Sequence, residues 1–396
     1  MSSILSPKSN NFNAVRLLAA LLVIYAHSYA FTGQAEWVAR KSGVTHAGEL
    51  SVVVFFFISG ALITKSLDGG RSIGGYAIKR VMRIYPALIL CCFLVPYVFS
   101  WMFGGASFSE ILGSKEALKY FTTNSLGVWS LYFVPGVFET HPDKALNGSL
   151  WSITLELRLY LALGVLSLLG LMKEKSVQCL VLLFLILCLA LVPDKVPLLG
   201  SNPALYGTPA YPAFSIIFLV GGLFYLLEDK IAFRPVALII FFAVVMIWAN
   251  KAGFVDLKRF VIFGLSIAVA MWLATLGPLV RRLPIMHDYS YGVYLYGWPS
   301  QQIAYSILVD FRVHPTALAI SAIAMPLALL LAALSWHLLE RPSLNFGHRF
   351  ARQLDDAQLK FKWRSAPGPA TAAAAGAAND NLEAGYAAAT EQAAQR

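Results

Sequence analysis

Residues 12–31 read FNAVRLLAALLVIYAHSYAF, an apolar run long enough to cross a bilayer as one helix. Two ionisable residues interrupt this run, Arg16 and His27. They are eleven residues apart, which corresponds to about 16 Å along a helix and about 20° around it, so both lie on one stripe. Ionisable groups at membrane depth are costly unless they face a protein interior, so we interpret the stripe as functional. The alternative is an Arg16 that reaches towards the headgroups and a His27 that bonds a neighbouring helix.

The composition predicts an all-α fold, a polytopic membrane helix bundle. Of the 396 residues, 58% are hydrophobic and 13% are charged, which excludes an ordinary soluble domain. Apolar runs of spanning length indicate about ten transmembrane helices. We place them at residues 12–32, 49–66, 84–103, 148–171, 176–193, 210–227, 235–250, 259–277, 288–309 and 316–339.

The distribution of basic residues predicts that the N- and C-termini are both cytoplasmic. With that orientation, nineteen of the thirty-one Lys and Arg residues fall on the inside and ten on the outside. The net charge of +10 is therefore mostly topological, and nucleic-acid binding is not expected. The first span has features of a signal peptide, including the small pair Ser28 and Ala30, but its long polar lead-in and Phe31 favour a retained helix.

Residues 1–345 are predicted to form one membrane-embedded domain, and residues 346–396 a cytoplasmic, largely disordered tail rich in alanine. The four cysteines all fall in predicted spans and show neither metal-site spacing nor a disulfide framework. No metal site is expected.

A second ionisable group lies in the fourth predicted span, GSLWSITLELRLYLAL (148–163). If this helix starts at the outer edge of the membrane, Glu156 lies about 10 Å below that edge. His27 lies about 22 Å above the inner edge, so the two groups reach nearly equal depth. A carboxylate beside an imidazole can fix its tautomer and support its positive form, as a general base requires. The alternative is a structural Glu156 paired with some other cation.

A basic cluster follows the second predicted span, in YAIKRVMRIYPAL (76–88). Arg80 and Arg83 are three residues apart and share a helix face, with Lys79 beside them. Paired guanidinium groups suit a phosphorylated ligand because each can bind phosphate through two hydrogen bonds. The alternative is simply that cytoplasmic loops tend to be basic.

Six motifs occur in order along residues 10–345. They are Arg16-x10-His27, VVVFFFISGALI (52–63), RVMRIYPAL (80–88), GSLWSITLE (148–156), YSYGVYLYGWP (289–299) and HLLERP (337–342). This set resembles the acyltransferase-3 family of integral membrane acyltransferases, which modify bacterial surface glycans. One departure is Gly297, since many relatives have a histidine before the Trp-Pro pair.

The resemblance implies a multi-pass protein of the bacterial inner membrane that moves an acyl group, usually acetyl from cytoplasmic acyl-CoA, onto a glycan or lipid-linked sugar hydroxyl. It implies no tightly bound cofactor. It implies His27 and Arg16 as essential residues and Glu156 as a supporting one, with His27 as the expected general base. On the coenzyme side it places Arg80 and Arg83, and we add their neighbour Lys79. Direct transfer and an acyl-histidine intermediate both stay open.

Three residues of the ninth span are the expected contacts of the sugar: Trp298, Gln301 and Gln302. The alternative is that the two glutamines only bridge helices. For the whole chain the alternative function is a transporter or channel in which Arg16, His27 and Glu156 form an ion or proton path.

Overall fold

We describe a computed structural model of the chain, which covers residues 5, 10–68, 72–105, 107–196, 198–200, 211–230, 234–276 and 287–365, with only the backbone at residues 252 and 357–365. Across these residues the chain forms helices and no strands, which confirms the predicted all-α class. The helices are α1 (Phe12–Ala30), α2 (Trp37–Ser42), α3 (Ala47–Asp68), α4 (Ile73–Phe93), α5 (Phe108–Gly113), α6 (Lys115–Leu126), α7 (Leu150–Leu168), α8 (Lys175–Leu191), α9 (Tyr211–Leu227), α10 (Pro235–Ala252), α11 (Val255–Thr275), α12 (Ser290–Asp310), α13 (Ala317–Ser335) and α14 (Arg341–Ser365).

A long helix covers each of the ten predicted spans. Within the described residues, six helices are long and apolar enough to cross a membrane, and three further apolar helices are shorter. The tenth, α12, carries more polar and aromatic side chains, and nearly all of them are buried. Such a helix belongs in the interior of the bundle, where other helices cover its polar groups. The number of membrane crossings and the cytoplasmic termini stay predictions.

Helix α12 is the centre of the bundle, with α1 and α13 packed along it. Helix α3 packs on the other side of α1 and contacts α9 closely. A Cβ atom on Gly60 would lie 1.8 Å from the Phe218 carbonyl oxygen, and one on Gly221 would lie 2.1 Å from the Phe57 carbonyl oxygen. Glycine at both positions therefore allows the two backbones to touch, which is how membrane helices gain packing energy.

Helix α4 begins eleven residues before the predicted third span, because Ser72 caps its N-terminus and accepts a hydrogen bond from the Gly75 amide. It continues through a π-helical turn (Leu94–Phe99) to Phe103. The basic cluster, which was predicted on one helix face just before the third span, therefore lies within this same helix.

Helix α14 continues α13 through a second π-helical turn (Trp336–Glu340) and packs back against α4. The Ser72 hydroxyl donates to the Asp355 carboxylate, which ties the two helices together. The predicted boundary at residue 345 falls inside this helix, so the ordered part extends further than expected. Residues 366–396 of the predicted tail lie outside the described residues.

The segment before α7 reaches deep into the bundle. Pro299 has no amide hydrogen, so the Leu295 carbonyl oxygen lacks its helical donor. The Asn147 side-chain amide donates to that oxygen at 3.0 Å. Gly148 lies flat against the Trp298 indole, where a Cβ atom would meet ring carbons at 2.8 Å. Helix α7 therefore starts beside Trp298 of α12, within the bundle.

Candidate active site

Arg16 is held by a carboxylate at the end of the bundle where α1 begins. Its Nη1 atom donates to Asp288 Oδ2 at 2.7 Å, and its guanidinium lies over the Phe55 ring, 5.7 Å from the centroid. Asp288 lies directly before α12, and the Ser290 hydroxyl donates to its other oxygen. The Arg83 Nη2 atom donates to the same Oδ2 atom at 2.5 Å. One carboxylate thus joins α1, α4 and α12.

Glu340 completes this charge cluster. Arg83 Nη1 lies 3.4 Å from its Oε2 atom, and the Ser335 hydroxyl donates to its Oε1 atom at 3.0 Å. We call Arg16, Arg83, Asp288 and Glu340 the inner cluster, in which two guanidinium groups face two carboxyl groups. Two guanidinium groups contact the Asp288 carboxylate, so the negative charge of this buried group is stabilised on both sides.

The structure separates the basic residues that the sequence had grouped. Arg83 was predicted to bind phosphates together with Arg80, but its guanidinium is already paired with two carboxylates. Arg80 forms no ion pair with any described residue, and its buried Nε atom has no hydrogen-bond partner. It lines a groove between α4 and α7 together with Tyr76 and Tyr160. Lys79 is half-buried on the same helix. Arg80, and not Arg83, thus retains a cation for a ligand.

Glu156 lies near the inner cluster. Its Oε1 atom accepts hydrogen bonds from the Ser59 hydroxyl at 2.6 Å and the Tyr160 hydroxyl at 2.5 Å. It borders a cavity of about 40 Å³ that Arg16 and Tyr294 also line. That volume is enough for a water molecule. Glu156 and Arg16 therefore share one polar cavity.

The predicted pairing of Glu156 with His27 is wrong. Both hydrogen bonds of Glu156 go to Ser59 and Tyr160, and no group in the described chain bridges it to His27. The prediction placed Glu156 level with His27, whereas the start of α7 is level with His27 through Trp298, so Glu156 lies about 10 Å further along the bundle. Ser59 lies thirteen residues along from His46, the neighbour of His27, which is about 20 Å of helix.

His27 lies at the opposite end of the bundle from the inner cluster. Its ring packs edge-on against the Trp298 indole, with 5.0 Å between centroids, and lies 6.3 Å from the ring of His46. His46 is exposed at that end. Within the described residues His27 forms no hydrogen bond, and its Nδ1 atom is buried. The imidazole therefore keeps both nitrogens for a ligand just below the surface.

The three predicted sugar contacts are used within the protein. The Gln301 amide donates to the Ile24 carbonyl and the Ser28 hydroxyl, both at 2.7 Å. The Gln302 amide donates to the carbonyl oxygens of Asp143 and Ala145 at 2.8 and 2.6 Å. The Trp298 indole N–H also donates to the Ala145 carbonyl, at 2.8 Å. This arrangement fits the helix-bridging alternative for both glutamines.

Several residues of the site were not predicted from sequence. Asp288 directly precedes the motif YSYGVYLYGWP and Glu340 lies within HLLERP, so an ionisable residue at a motif was the available signal. Ser59 lies within the apolar motif of the second span, where a lone hydroxyl gives little signal. His46 lies outside every span and gave none.

The sequence is similar to those of known proteins over most of its length. The family profile described as "Acyltransferase domain" (acyltransferase-3 type) matches residues 9–337. The chain belongs to the acyltransferase-3 family. It is 30% identical over 347 residues to a protein named O-acetyl transferase of Shigella phage Sf6, which covers 84% of this chain and 96% of that relative. It is also 30% identical over 173 residues to nodulation protein 10 of Rhizobium leguminosarum bv. viciae, covering 40% of this chain and 44% of that protein. No solved structure matches the chain.

Membership of this acyltransferase-3 family and the apolar helices together make the protein a membrane-embedded O-acyltransferase. The family match includes the region around His27 and three residues of the inner cluster, Arg16, Arg83 and Asp288. It ends before the fourth, Glu340.

Proposed function

We propose that this O-acyltransferase moves an acyl group, acetyl in the first instance, from cytoplasmic acyl-CoA to a hydroxyl of a bacterial surface glycan, across the inner membrane. The choice of acetyl follows the name of the phage relative. The observation that carries the proposal is the position of His27. This unbonded imidazole lies at one end of the same helix whose other end carries the arginine cluster.

The acyl donor approaches from the end of the inner cluster. Phosphate groups of acyl-CoA need cations that are not already neutralised, and Arg80 provides one. Arg16 lies deeper and borders the cavity that Glu156 shares. The pantetheine arm is long and thin, so it can follow α1 towards His27, about 16 Å further along the helix. In this scheme Glu156 serves the donor path and does not orient the base.

The glycan acceptor approaches from the His27 end, where His46 is exposed. His27 takes the proton of the acceptor hydroxyl while the hydroxyl oxygen attacks the thioester carbonyl. The carbon–sulfur bond then breaks, and the imidazolium returns the proton to the thiolate of CoA. The products are an O-acyl ester and free CoA. Trp298 packs against the imidazole and limits the orientations of its ring.

The test is a transfer assay with purified protein, isotopically labelled acetyl-CoA and a soluble glycan acceptor. We expect His27→Ala to reduce transfer and CoA release by a factor of about 10²–10⁴, which is the contribution of general base catalysis. His314→Ala, which changes an exposed histidine before α13, is the matched control and should transfer normally. Normal acetylation by a folded His27→Ala protein would contradict the proposal. Ion flux without CoA release would favour the transporter alternative.

A further inference from the structure

A separate cavity opens at the His27 end of the bundle. Its volume is about 790 Å³, and it lies between the end of α4, the start of α5, the segment 136–141 and the last turn of α12. Its position at this end is shown by the chain that follows segment 136–141. There the Ala145 carbonyl accepts a hydrogen bond from the Trp298 indole, and this indole packs on His27. A volume in this range suits a small ligand.

Aromatic rings form one wall of this outer cavity. Trp101 is 51% exposed and Phe108 is 49% exposed, and their rings pack edge to face with 5.4 Å between centroids. Tyr305 lines the opposite side, near the His141 ring. The face of an indole is electron-rich and attracts the polarised C–H groups of a sugar ring. Aromatic side chains left open in a cavity are typical of a ligand site.

Carboxylates and an imidazole line the polar part of the cavity. Asp310 is the last residue of α12, where the helix dipole disfavours a negative charge, and it forms no ion pair with a described residue. Glu139 is paired at the surface with Lys144 at 2.7 Å. Carboxylates accept hydrogen bonds from hydroxyl groups but repel phosphates. The cavity therefore suits a neutral polyhydroxy ligand and disfavours acyl-CoA.

Gln302 and Ser306 fix the orientation of the His141 ring in the wall of this cavity. The Gln302 amide nitrogen donates to two carbonyls, so its oxygen accepts from His141 Nδ1, 2.5 Å away. The Nε2 atom then carries the lone pair, and the Ser306 hydroxyl lies 3.1 Å from it. Burial lowers the pKa of His141, with Gln302 opposing this in part, so the ring is neutral at pH 7.

We propose that this outer cavity binds a sugar ring of the acceptor glycan, in a unit other than the one that is acylated. Three aromatic rings separate His141 from His27, so a ring in the cavity does not reach the base. The rings form a chain in which consecutive centroids lie 4.6 Å apart for His141 and Tyr305, 6.3 Å for Tyr305 and Phe31, 5.5 Å for Phe31 and Trp298, and 5.0 Å for Trp298 and His27. The inference rests on the proposed function for the identity of the acceptor as a glycan.

The test measures binding without any acyl donor, so it does not depend on turnover. Fluorescently labelled oligosaccharides of one to four repeating units, from an unacetylated surface polysaccharide of the host bacterium, are titrated against the purified full-length protein. We expect Trp101→Ala and Asp310→Asn each to weaken binding of the longer oligosaccharides at least tenfold. Trp37→Ala removes an equally exposed tryptophan of α2 outside the cavity and should leave binding unchanged.

Unchanged affinity in both cavity variants, or no binding of any oligosaccharide by the unmodified protein, would overturn the subsite. If the unmodified protein binds them in the expected pattern yet transfers no acetyl group, the proposed function fails and the subsite stands.

Discussion

The guanidinium groups of Arg80 and Arg83 lie three residues apart on α4 but have different surroundings. Arg83 is paired with Asp288 and Glu340, and the rings of Tyr291 and Trp336 lie 5.5 and 5.7 Å from it. Arg80 has no such neutralising partner among the described residues. Arg83 is therefore neutralised within the fold, whereas Arg80 has no ion pair with a described residue, although their sequence context is nearly the same.

This difference predicts that two similar substitutions affect different properties, the KM for acyl-CoA in one case and the stability of the protein in the other. Arg80→Gln should raise the KM for acyl-CoA about tenfold or more with little change in kcat, because it removes a charge-assisted hydrogen bond worth about 1.5–3 kcal/mol. Arg83→Gln should instead lower the stability by about 3–5 kcal/mol, since two buried carboxylates lose a cation. The measurements are acyl-CoA titrations and thermal unfolding in detergent.

Arg349→Gln is the control for both effects, because it removes an exposed arginine from α14. An unchanged KM in the Arg80→Gln protein would mean that this residue only sets the membrane topology. A fully stable Arg83→Gln protein would contradict the structural role given to the inner cluster.

At the scale of elements, the connection before α12 holds three helices through one side chain. Asp288 accepts from Arg16 of α1 and Arg83 of α4, and its own helix α12 forms the centre of the bundle. Both guanidinium groups are about five-sixths buried, with 17% of each side chain exposed. Without the Asp288 carboxylate, the two guanidinium groups would repel each other, and Glu340 would be the remaining acidic residue of the inner cluster.

Asp288→Asn should therefore destabilise the protein by about 3–5 kcal/mol at neutral pH. The Arg16 and Arg83 guanidinium groups would then lie buried beside a neutral amide, and only Glu340 would remain to neutralise them. Thermal unfolding of the two proteins in detergent at pH 7 is the measurement.

Asp229→Asn is the matched control, because that side chain is 85% exposed and its contact with Lys175 is 4.0 Å long. An exposed pair of this kind contributes little to stability. An Asp288→Asn protein as stable as this control at pH 7 would show that the cluster does not hold the helices together.

Much of the fold was predictable because membrane spans depend on apolar length, which is local in the sequence. The start of α4 was misplaced because its first turns, around YAIKRVMR, are too polar to count as a span. The depth of Glu156 was misplaced for a different reason. It depends on the hydrogen bond from the Asn147 side chain to the Leu295 carbonyl oxygen, which Pro299 leaves without a helical donor. These two bonded residues are 148 positions apart.

The site was predictable only in part for the same reason. Arg16 and His27 could be found because each is an ionisable residue in an apolar helix. Their partners could not be assigned, since the bond from Arg16 to Asp288 spans 272 positions. The roles of the predicted site residues in catalysis stay predictions.

At the scale of the whole molecule, the structure has two chemically different ends. The inner cluster, Arg80 and Glu156 lie at one end, and His27, His46 and the outer cavity lie at the other. We propose that the donor and the acceptor approach from these opposite ends and meet at His27. A donor and an acceptor on the same side of the membrane should therefore not react.

The most direct test uses sealed proteoliposomes with labelled acetyl-CoA trapped inside and a membrane-impermeant oligosaccharide acceptor either outside or inside. The protein can insert into the liposomes in both orientations. This does not affect the test, because part of the protein always has its inner-cluster end facing the trapped acetyl-CoA. We expect labelled acceptor only when donor and acceptor are on opposite sides of the membrane, and none with His27→Ala. Equal labelling when both are trapped on the same side would contradict the proposal.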